Sequence, residues 1–448
     1  MSSLTQGAII GLIAMALFMT GMPIAFALAI TAILSIVFFL GPDQFDLFGK
    51  MVFDSLHDFG LLAIPLFVLM GNLFGGSKAS QQLFEAGEAW LSRIRGGLAM
   101  SSVAASTVFA ALTGSSPATS AAIGRVAVPE MEKRGYSARI ATGAVAAGGT
   151  LGILVPPSVT LILYGIAAEQ SIGQLFAAGV VPGIIIAILF CVWVYIAQTL
   201  EDRAGRKKSA LETGAGVAAT VARRRYTWAD RFKSLAKVLP FALLIVMVLV
   251  VLYRGIATPS EAAAIGVLLV LLLVGVIYRG LTGKQLVSVL LESTNQSTMI
   301  LLITAFSAVI ATVLSYLRVP QDLATMVGEA NLNKWVVLLL INLILLVMGF
   351  FLPPVSIIVM TTPILLPLIL SLGFDPIWFG IVMTINMEMG LITPPVGLNL
   401  YVLKGIVPHV PLKEILIGSA PYVGVLGLAI VLFSVFPDII LFLPRMLY

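Results

Sequence analysis

Two helix-breaking segments interrupt stretches of this chain that are otherwise apolar enough to span a bilayer. They are residues 152–157 (GILVPP) in the first half and residues 390–395 (GLITPP) in the second. Proline lacks a backbone donor and clashes with the carbonyl group one turn earlier, so a Pro-Pro pair ends or breaks a helix. In a bilayer, broken backbone is tolerated only where it is buried in protein or lines a cavity. A break that recurs in both halves indicates the binding site of a secondary transporter.

The composition is that of a membrane protein. Hydrophobic residues make up 59% of the 448 residues, charged residues make up 10%, and the mean hydropathy is +1.08. Soluble domains carry about 25% charged residues. A spanning helix takes about 20 apolar residues, so the length predicts an all-α polytopic membrane protein with roughly ten to twelve membrane elements.

A cluster of basic residues divides the chain. Ten of the 26 Lys and Arg residues lie in residues 203–237. The positive-inside rule predicts that this segment is cytoplasmic. The alternative, a patch for nucleic acid or anionic lipid, is disfavoured because the charges lack the regular aromatic interleaving of such patches. We therefore expect residues 1–200 to form a first membrane repeat, residues 201–237 a basic cytoplasmic linker and residues 238–448 a second membrane repeat.

Further breakers occur in the same order in both halves. The matching pairs are residues 21–26 (GMPIAF) with 255–262 (GIATPSEA), and residues 113–117 (TGSSP) with 349–356 (GFFLPPVS). Gly114 precedes Gly152 by as many residues as Leu352 precedes Gly390. Three matches in order at similar spacing indicate an internal duplication.

The arrangement of breakers predicts two inverted repeats, each with a re-entrant hairpin. If the linker is cytoplasmic and each half crosses an odd number of times, the broken segments meet near the midplane from opposite sides. The hairpin tips fall at residues 114–117 and 353–356. A tip that ends half-way leaves carbonyl and hydroxyl groups without intrahelical partners, and these are oxygen ligands for sodium. A half-helix N-terminus at the same place favours an anionic substrate.

Three longer strings carry a family resemblance. They are residues 109–116 (FAALTGSS), 149–158 (GTLGILVPPS) and 388–397 (EMGLITPPVG). Together they closely resemble the large, DctM-like membrane subunit of tripartite ATP-independent periplasmic (TRAP) transporters, and the resemblance covers essentially the whole chain. The linker around residues 205–225 is longer than that family leads one to expect.

The resemblance implies a function and partners. Such subunits import organic anions, mostly carboxylates, with sodium by an elevator motion of the hairpin-bearing domain against a scaffold. They lie in the bacterial inner membrane with a small four-helix, DctQ-like membrane subunit. A periplasmic, DctP-like binding protein delivers the substrate. No cofactor is implied besides the coupling sodium ions.

The resemblance also implies two sodium sites, in which backbone carbonyl groups do much of the binding. The first would use Thr113, Ser115 and Ser116 of the first tip with Gly152, Val155 and Pro157. The second would use Gly349 with Gly390, Thr393 and Val396. Ser356, Asn386 and Asn399 are our own candidates for polar contact with the substrate.

Each of these residues has a simpler interpretation. Small residues such as Gly114 and Ser115 also let membrane helices pack closely. Glu388 is an ionisable residue at membrane depth, which is costly and usually functional. Proton coupling is one interpretation of Glu388, and a structural ion pair or an anchor at a helix N-terminus is the other.

Other classes of function have less support. The sequence has no P-loop, and its two distant histidines do not make a typical zinc centre. No histidine or lysine near Ser115 or Ser116 would activate a nucleophile, so we expect no enzyme. The main rival is a stand-alone ion-coupled dicarboxylate carrier or sodium/proton exchanger of related fold. A channel is the rival from a different class.

Overall fold

The computed structural model describes residues 2–213, 226–278, 282–330 and 332–448, and every regular element in these ranges is a helix. The first half contains α1 Ser3–Met19, α2 Ile24–Ser35, α3 Asp46–Leu56, α4 Ala63–Gly75, α5 Ala79–Leu91, α6 Gly97–Thr113, α7 Ser116–Lys133, α8 Ala138–Thr150, α9 Val159–Ala167 and α10 Ile172–Thr213. The second half contains α11 Trp228–Tyr253, α12 Pro259–Leu272, α13 Gly283–Tyr316, α14 Val319–Glu329, α15 Lys334–Gly349, α16 Pro354–Ser371, α17 Pro376–Leu391, α18 Leu398–Ile406, α19 Leu412–Val435 and α20 Asp438–Leu447. The predicted all-α class is confirmed.

The helices are long and apolar enough for a multi-pass membrane protein. Within the described ranges, six qualify as spans by length and composition: Ile172–Ala204, Trp228–Tyr253, Pro259–Val276, Gly283–Tyr316, Pro354–Ser371 and Leu412–Val435. A seventh span results if Pro42–Leu56 and Phe59–Gly75, which are bent by 61° at their junction, count as one. Four shorter apolar helices, among them α6 and α15, accompany these spans.

The chain breaks where the sequence places its glycines and prolines. The turn between α1 and α2 contains Gly21 at a φ of 76°, and the turn between α11 and α12 contains Gly255 at a φ of 64°. Glycine adopts this left-handed conformation without steric cost. Pro259 then occupies the first turn of α12, where its missing N–H group costs nothing.

The helices pack in two groups. In the α13 group, α2 and α3 lie against α13, and α4 lies between α12 and α13. In the α8 group, α8 contacts α6, α7 and α19, while α17 contacts α15, α19 and α10. Helix α16 contacts α9, α15 and α17 and is counted with the α8 group. The two groups touch directly where α13 contacts α16 and where α4 contacts α6. The short helices α5 and α14 also connect the groups, since α5 contacts α6 and α11, and α14 contacts α16 and α1.

The outer surface of both groups is apolar. Ile188 on α10, Leu243 on α11, Leu268 on α12 and Leu428 on α19 are each more than half exposed. A water-soluble protein rarely exposes contiguous apolar surface on this scale, whereas hydrocarbon accepts it without cost. The outward-facing side chains therefore indicate contact with lipid tails.

The segment predicted as a basic linker is only partly within the described structure. Residues 201–213 form the end of α10, and Trp228 begins α11. The Thr227 hydroxyl accepts from the Asp230 backbone N–H, and the Asp230 carboxylate accepts from the Thr227 backbone, so a capping box fixes this helix start. Residues 214–225 lie outside the described ranges, and the cytoplasmic location of the linker stays a prediction.

Candidate substrate and cation site

A cavity of about 160 Å³ lies where the two predicted tips meet helices of the α13 group. The first tip and the break after α8 contribute Thr113, Gly114, Ser115, Ser116, Pro117, Ala118, Ile153, Val159 and Thr160. The second tip and the break after α17 contribute Pro353, Pro354, Val355, Leu391 and Leu398. Val68, Gly71, Asn72, Gln296 and Ile300 of α4 and α13 complete the wall. Both broken segments thus contribute to one cavity.

Four helices begin at the wall of this cavity. The first residues of α7, α9, α16 and α18 are Ser116, Val159, Pro354 and Leu398, and all four line it. The first N–H groups of a helix have no intrahelical partner, and together with the helix dipole they favour a negative charge. The described residues that line the cavity carry no charged side chain. Any attraction for an anion at this wall would therefore come from backbone N–H groups.

Most of these helix starts have no side-chain cap. Ser158 caps α9, since its hydroxyl accepts from the Leu161 N–H at 3.3 Å. The residues that precede α7, α16 and α18 make no such bond from their side chains. Apart from Pro117 and Pro354, which have no N–H group, the first residues of these three helices therefore keep N–H groups that no side-chain cap occupies.

The first tip packs on the backbone of the break that follows α8. A β-carbon built on Gly152 would lie 2.8 Å from the Ser115 carbonyl oxygen, and one built on Gly114 would lie 3.2 Å from the Pro157 carbonyl oxygen. Only glycine permits the approach at Gly152, because real β-carbons do not come so close to other atoms. The structure thus brings two backbone carbonyl groups of the first predicted sodium site close to the tip.

Hydroxyl groups accompany these carbonyl groups. The Thr113 hydroxyl lies 3.2 Å from the Phe109 carbonyl oxygen and 3.0 Å from the Thr119 hydroxyl. Thr119 in turn donates to the Ser115 carbonyl oxygen at 2.8 Å. Val155 lies on the far side of the break, where its side chain faces Gly183 of α10. Its backbone, not its side chain, would serve a cation at the tip.

The second tip repeats this close backbone approach. A β-carbon built on Gly390 would lie 2.7 Å from the Gly349 carbonyl oxygen, and one built on Gly397 would lie 3.0 Å from the Thr393 carbonyl oxygen. The Thr393 hydroxyl donates to the Met389 carbonyl oxygen at 2.6 Å. The structure therefore places Gly349 against Gly390. It also places the Thr393 carbonyl group against the turn at Gly397. Val396, the remaining predicted member, is 40% exposed.

A buried hydrogen bond joins the two halves of the chain at the site. The Asn399 side-chain amide donates to the Ser116 hydroxyl at 2.7 Å and to the Ala146 carbonyl oxygen at 3.3 Å. Asn399 is fully buried and lies outside the cavity wall. Its position, one residue into α18, lets it hold the start of α7 against the start of α18. Two of the four helix starts are thus fixed relative to each other.

The other two substrate candidates also lie behind the wall. Asn386 on α17 donates to the carbonyl oxygen and the side-chain oxygen of Asn342 on α15, at 2.8 and 3.0 Å. Ser356 is fully buried, and its hydroxyl has no hydrogen-bond partner in the described structure. Neither residue lines the cavity, and direct contact with a substrate stays a prediction for both.

The sequence analysis missed the polar residues that the α13 group brings to the cavity. The Asn72 amide donates to the Ser293 hydroxyl at 3.0 Å and to the Gln296 side-chain oxygen at 3.1 Å. Asn72 and Gln296 both line the cavity opposite the tips. A signal existed, since amide side chains inside apolar helices are uncommon and face protein or water.

The comparison with known proteins decides the family. The chain matches, over residues 11–439, the family described as "Tripartite ATP-independent periplasmic transporter, DctM component". It belongs to this family. The resemblance drawn from the sequence strings is thereby confirmed, and the chain is a transporter permease of the TRAP type.

Two relatives and one solved structure illustrate the similarity. The chain is 36% identical over 421 residues to the C4-dicarboxylate TRAP transporter large permease protein DctM of Pseudomonas aeruginosa, which covers 94% of each protein. It is 33% identical over 387 residues to the isethionate TRAP transporter permease protein DctMQ of Oleidesulfovibrio alaskensis, covering 86% of this chain and 58% of the relative. The Alcanivorax borkumensis YdaH transporter aligns with a TM-score of 0.57, 16% identity and coverage of 90% and 91%, which is a similarity of fold.

Proposed function

We propose that this chain is the large permease subunit of a sodium-coupled, binding-protein-dependent transporter that imports organic anions, carboxylates foremost. The observation that carries the proposal is the meeting of four helix N-termini at a cavity without charged side chains. Such a site attracts an anion through backbone N–H groups and helix dipoles. Discontinuous membrane helices of this kind bind anionic substrates in secondary transporters.

The same breaks also offer carbonyl oxygens, whose partial negative charge suits a sodium ion. Four helices end at the breaks and present carbonyl groups there: α6 and α8 in the first half, and α15 and α17 in the second. The close approaches of Ser115 to Gly152 and of Gly349 to Gly390 gather these oxygens in two places. Half-helix C-termini and unwound carbonyl groups bind sodium in transporters of this type. Bound sodium would add positive charge beside the anion, which links the binding of the two.

An elevator motion fits the division into two packing groups. The α8 group carries both tips, whereas the α13 group contributes the opposite wall of the cavity through α4 and α13. Sliding the α8 group along that wall would carry the cavity across the membrane. The order of helices also supports two inverted repeats, because α6 to α10 and α15 to α19 follow the same sequence of hairpin, break and long apolar helix.

The cavity favours a small substrate. Its volume of about 160 Å³ is below the roughly 300 Å³ at which pockets for drug-sized ligands begin. The two relatives named above carry the names of a C4-dicarboxylate and of isethionate. Both are small organic anions, which supports the same class for this chain.

We also infer two partners and a location in the bacterial inner membrane. The alignment covers only 58% of the relative named DctMQ, so that protein is longer than this chain, and its extra length has room for a small membrane subunit. This chain would then need a separate small, four-helix membrane subunit. A periplasmic binding protein would deliver the substrate, as the name of the family indicates.

Reconstitution tests this proposal. Proteoliposomes with this chain, the small subunit and the loaded binding protein should accumulate the anion when an inward sodium gradient is applied. Replacing sodium with choline at a clamped membrane potential should reduce uptake at least tenfold. Proteoliposomes with this chain alone should show no uptake. Robust uptake by the lone chain would favour a stand-alone carrier, and uptake that is unchanged in choline would overturn sodium coupling.

A further inference from the structure

A groove of about 630 Å³ runs between α6 and α10 on the outer surface of the α8 group. It is lined by α6 between residues 100 and 108 and by α10 between residues 184 and 195, with Leu91 and Ile94 at one end. It is separate from the cavity at the two tips, since no residue lines both. Nothing in the proposed transport cycle uses this groove.

The pattern of large and small side chains creates the groove. Ile184, Ile188 and Val192 follow one another at intervals of four residues, are about half exposed and form a ridge along α10. Ala104 on α6 and Ala187 on α10 also line the groove. Because these alanines are small, they leave space beside the ridge that larger side chains would fill.

The length of the groove corresponds to one leaflet of a bilayer. Ile184 and Tyr195 lie at its two ends, about 16 Å apart at 1.5 Å per helical residue. The hydrocarbon core is about 30 Å thick, so one leaflet accounts for about 15 Å. Glu201 and Asp202 follow Tyr195 on α10, and Trp90, which is 40% exposed, precedes the groove on α5. Charged and tryptophan side chains of this kind are typical of the boundary between hydrocarbon and water.

A tight turn holds a basic side chain at this boundary. Residues 92–96 join α5 to α6, and Gly96 has a φ of 73°. A β-carbon built on Gly96 would lie 2.9 Å from the Val194 side chain, so the turn packs directly on α10. Val194 precedes Tyr195, and Arg95 precedes Gly96. The packing therefore places Arg95 at the mouth of the groove.

The charge at the mouth favours an anion. Arg95 is exposed and forms no ion pair among the residues that the structure describes. Arg93 interacts within the protein, and Arg203 is exposed on α10. The two acids on this part of α10, Glu201 and Asp202, already accept hydrogen bonds from side chains of the protein. Basic residues at the ends of membrane helices attract anionic lipid headgroups.

The cross-section of the groove excludes a helix of a partner protein. Its volume and length give a cross-section of about 40 Å², which is roughly half that of an α-helix with a diameter of about 10 Å. A flexible hydrocarbon chain is thinner and requires no polar contact. The Thr107 hydroxyl in the wall donates to the Val103 carbonyl oxygen at 2.9 Å, so it needs no partner from a ligand.

We propose that this groove binds an anionic phospholipid from the leaflet on the side of the basic segment. An acyl chain lies between α6 and α10, and the phosphate headgroup lies at Arg95. Burial of the chain against the exposed ridge supplies affinity, and the arginine supplies the preference for negative charge. The lipid then connects α10 to α6, the helix that ends at the first tip.

Photo-crosslinking with synthetic lipids tests the site. The full chain is placed in nanodiscs with a trace of phosphatidylglycerol or phosphatidylcholine that carries a diazirine in its acyl chain, and the adducts are mapped by mass spectrometry. Phosphatidylglycerol should label residues 100–108 and 184–195 about fivefold more than phosphatidylcholine does. Labelling around Leu268, an exposed residue of α12, should be equal for the two lipids and reports ordinary boundary lipid.

Two variants separate the headgroup from the chain. Arg95→Gln should lower phosphatidylglycerol labelling of the groove to the phosphatidylcholine level, whereas Arg254→Gln, at an exposed arginine after the other end of α11, should not change it. Ala187→Phe should fill the groove and reduce its labelling at least fivefold, with labelling around Leu268 retained.

Three results would overturn the proposal. Equal labelling of the groove by the two lipids, or no effect of Arg95→Gln, would exclude recognition of the headgroup. Groove labelling no stronger than that around Leu268 would leave ordinary boundary lipid. Loss of groove labelling when the small subunit is added would assign this surface to a protein partner.

Discussion

The Thr393 hydroxyl illustrates how individual residues work at these breaks. It donates its proton to the Met389 carbonyl oxygen at 2.6 Å, and its oxygen keeps lone pairs for a cation. Thr113 has a similar position at the first tip, with its hydroxyl 3.2 Å from the Phe109 carbonyl oxygen. Both hydroxyls lie near backbone carbonyl groups of the breaks, so each would add one side-chain ligand to the mostly backbone sodium site that we propose.

Thr393→Val should weaken sodium coupling without unfolding the tip. Valine keeps the branched shape but removes the oxygen, and a lost neutral contact costs about 1 kcal/mol. We expect the sodium concentration for half-maximal uptake to rise roughly three- to tenfold. Thr312→Val is the matched control, because this hydroxyl also donates to the carbonyl group four residues earlier but lies on α13. An unchanged sodium dependence for Thr393→Val would remove this hydroxyl from the site.

The helix α4 packs tightly on the end of the first tip. A β-carbon built on Gly71 of α4 would lie 2.8 Å from the Thr113 carbonyl oxygen, whereas one built on Gly75 would meet nothing within 4 Å. The two glycines are one turn apart on the same helix. If the α8 group slides past α4, the lack of a side chain at Gly71 is what lets the surfaces pass.

Gly71→Ala should therefore slow transport. Overpacking at a tight contact costs about 1–3 kcal/mol, and we expect uptake by the reconstituted complex to fall at least tenfold. Gly75→Ala should leave uptake unchanged and stabilise α4 by up to about 1 kcal/mol, since alanine is the better helix former. Equal uptake rates for the two variants would argue against sliding at this surface.

Proline and glycine made the breaks predictable, because their constraints on the backbone are local. The positions of both tips and both Pro-Pro breaks follow from the sequence alone. The orientation of Asn386 toward Asn342 does not follow, since apolar residues lie on all sides of α17 and no periodicity marks an inner face. The pairing of Asn72 with Gln296 joins residues 224 positions apart. Only the tertiary fold brings such residues together.

At the scale of the whole molecule, the orientation of the chain in the membrane is testable on α11. Ala229 lies in the first turn of this 26-residue helix and Ile256 lies just after its end. Both are exposed, so they should lie on opposite sides of the bilayer. In a Cys191→Ser background, Ala229→Cys should resist an impermeant maleimide in intact cells and react in inside-out vesicles. Ile256→Cys should do the reverse. Labelling of Ala229→Cys in intact cells would place the basic segment outside and overturn the predicted inverted topology.

The proposed recognition of an anion by backbone N–H groups has a consequence for evolution. Every residue except proline has a peptide N–H group, so most single side-chain replacements in the wall would leave the proposed attraction for a negative headgroup in place. Substitutions at Asn72, Gln296 and the apolar wall residues could then adapt the cavity to the uncharged part of a new substrate. The proposed anion-binding N–H groups would stay in place. One scaffold can diversify across many acids by small steps, as the dicarboxylate and isethionate names of two relatives illustrate.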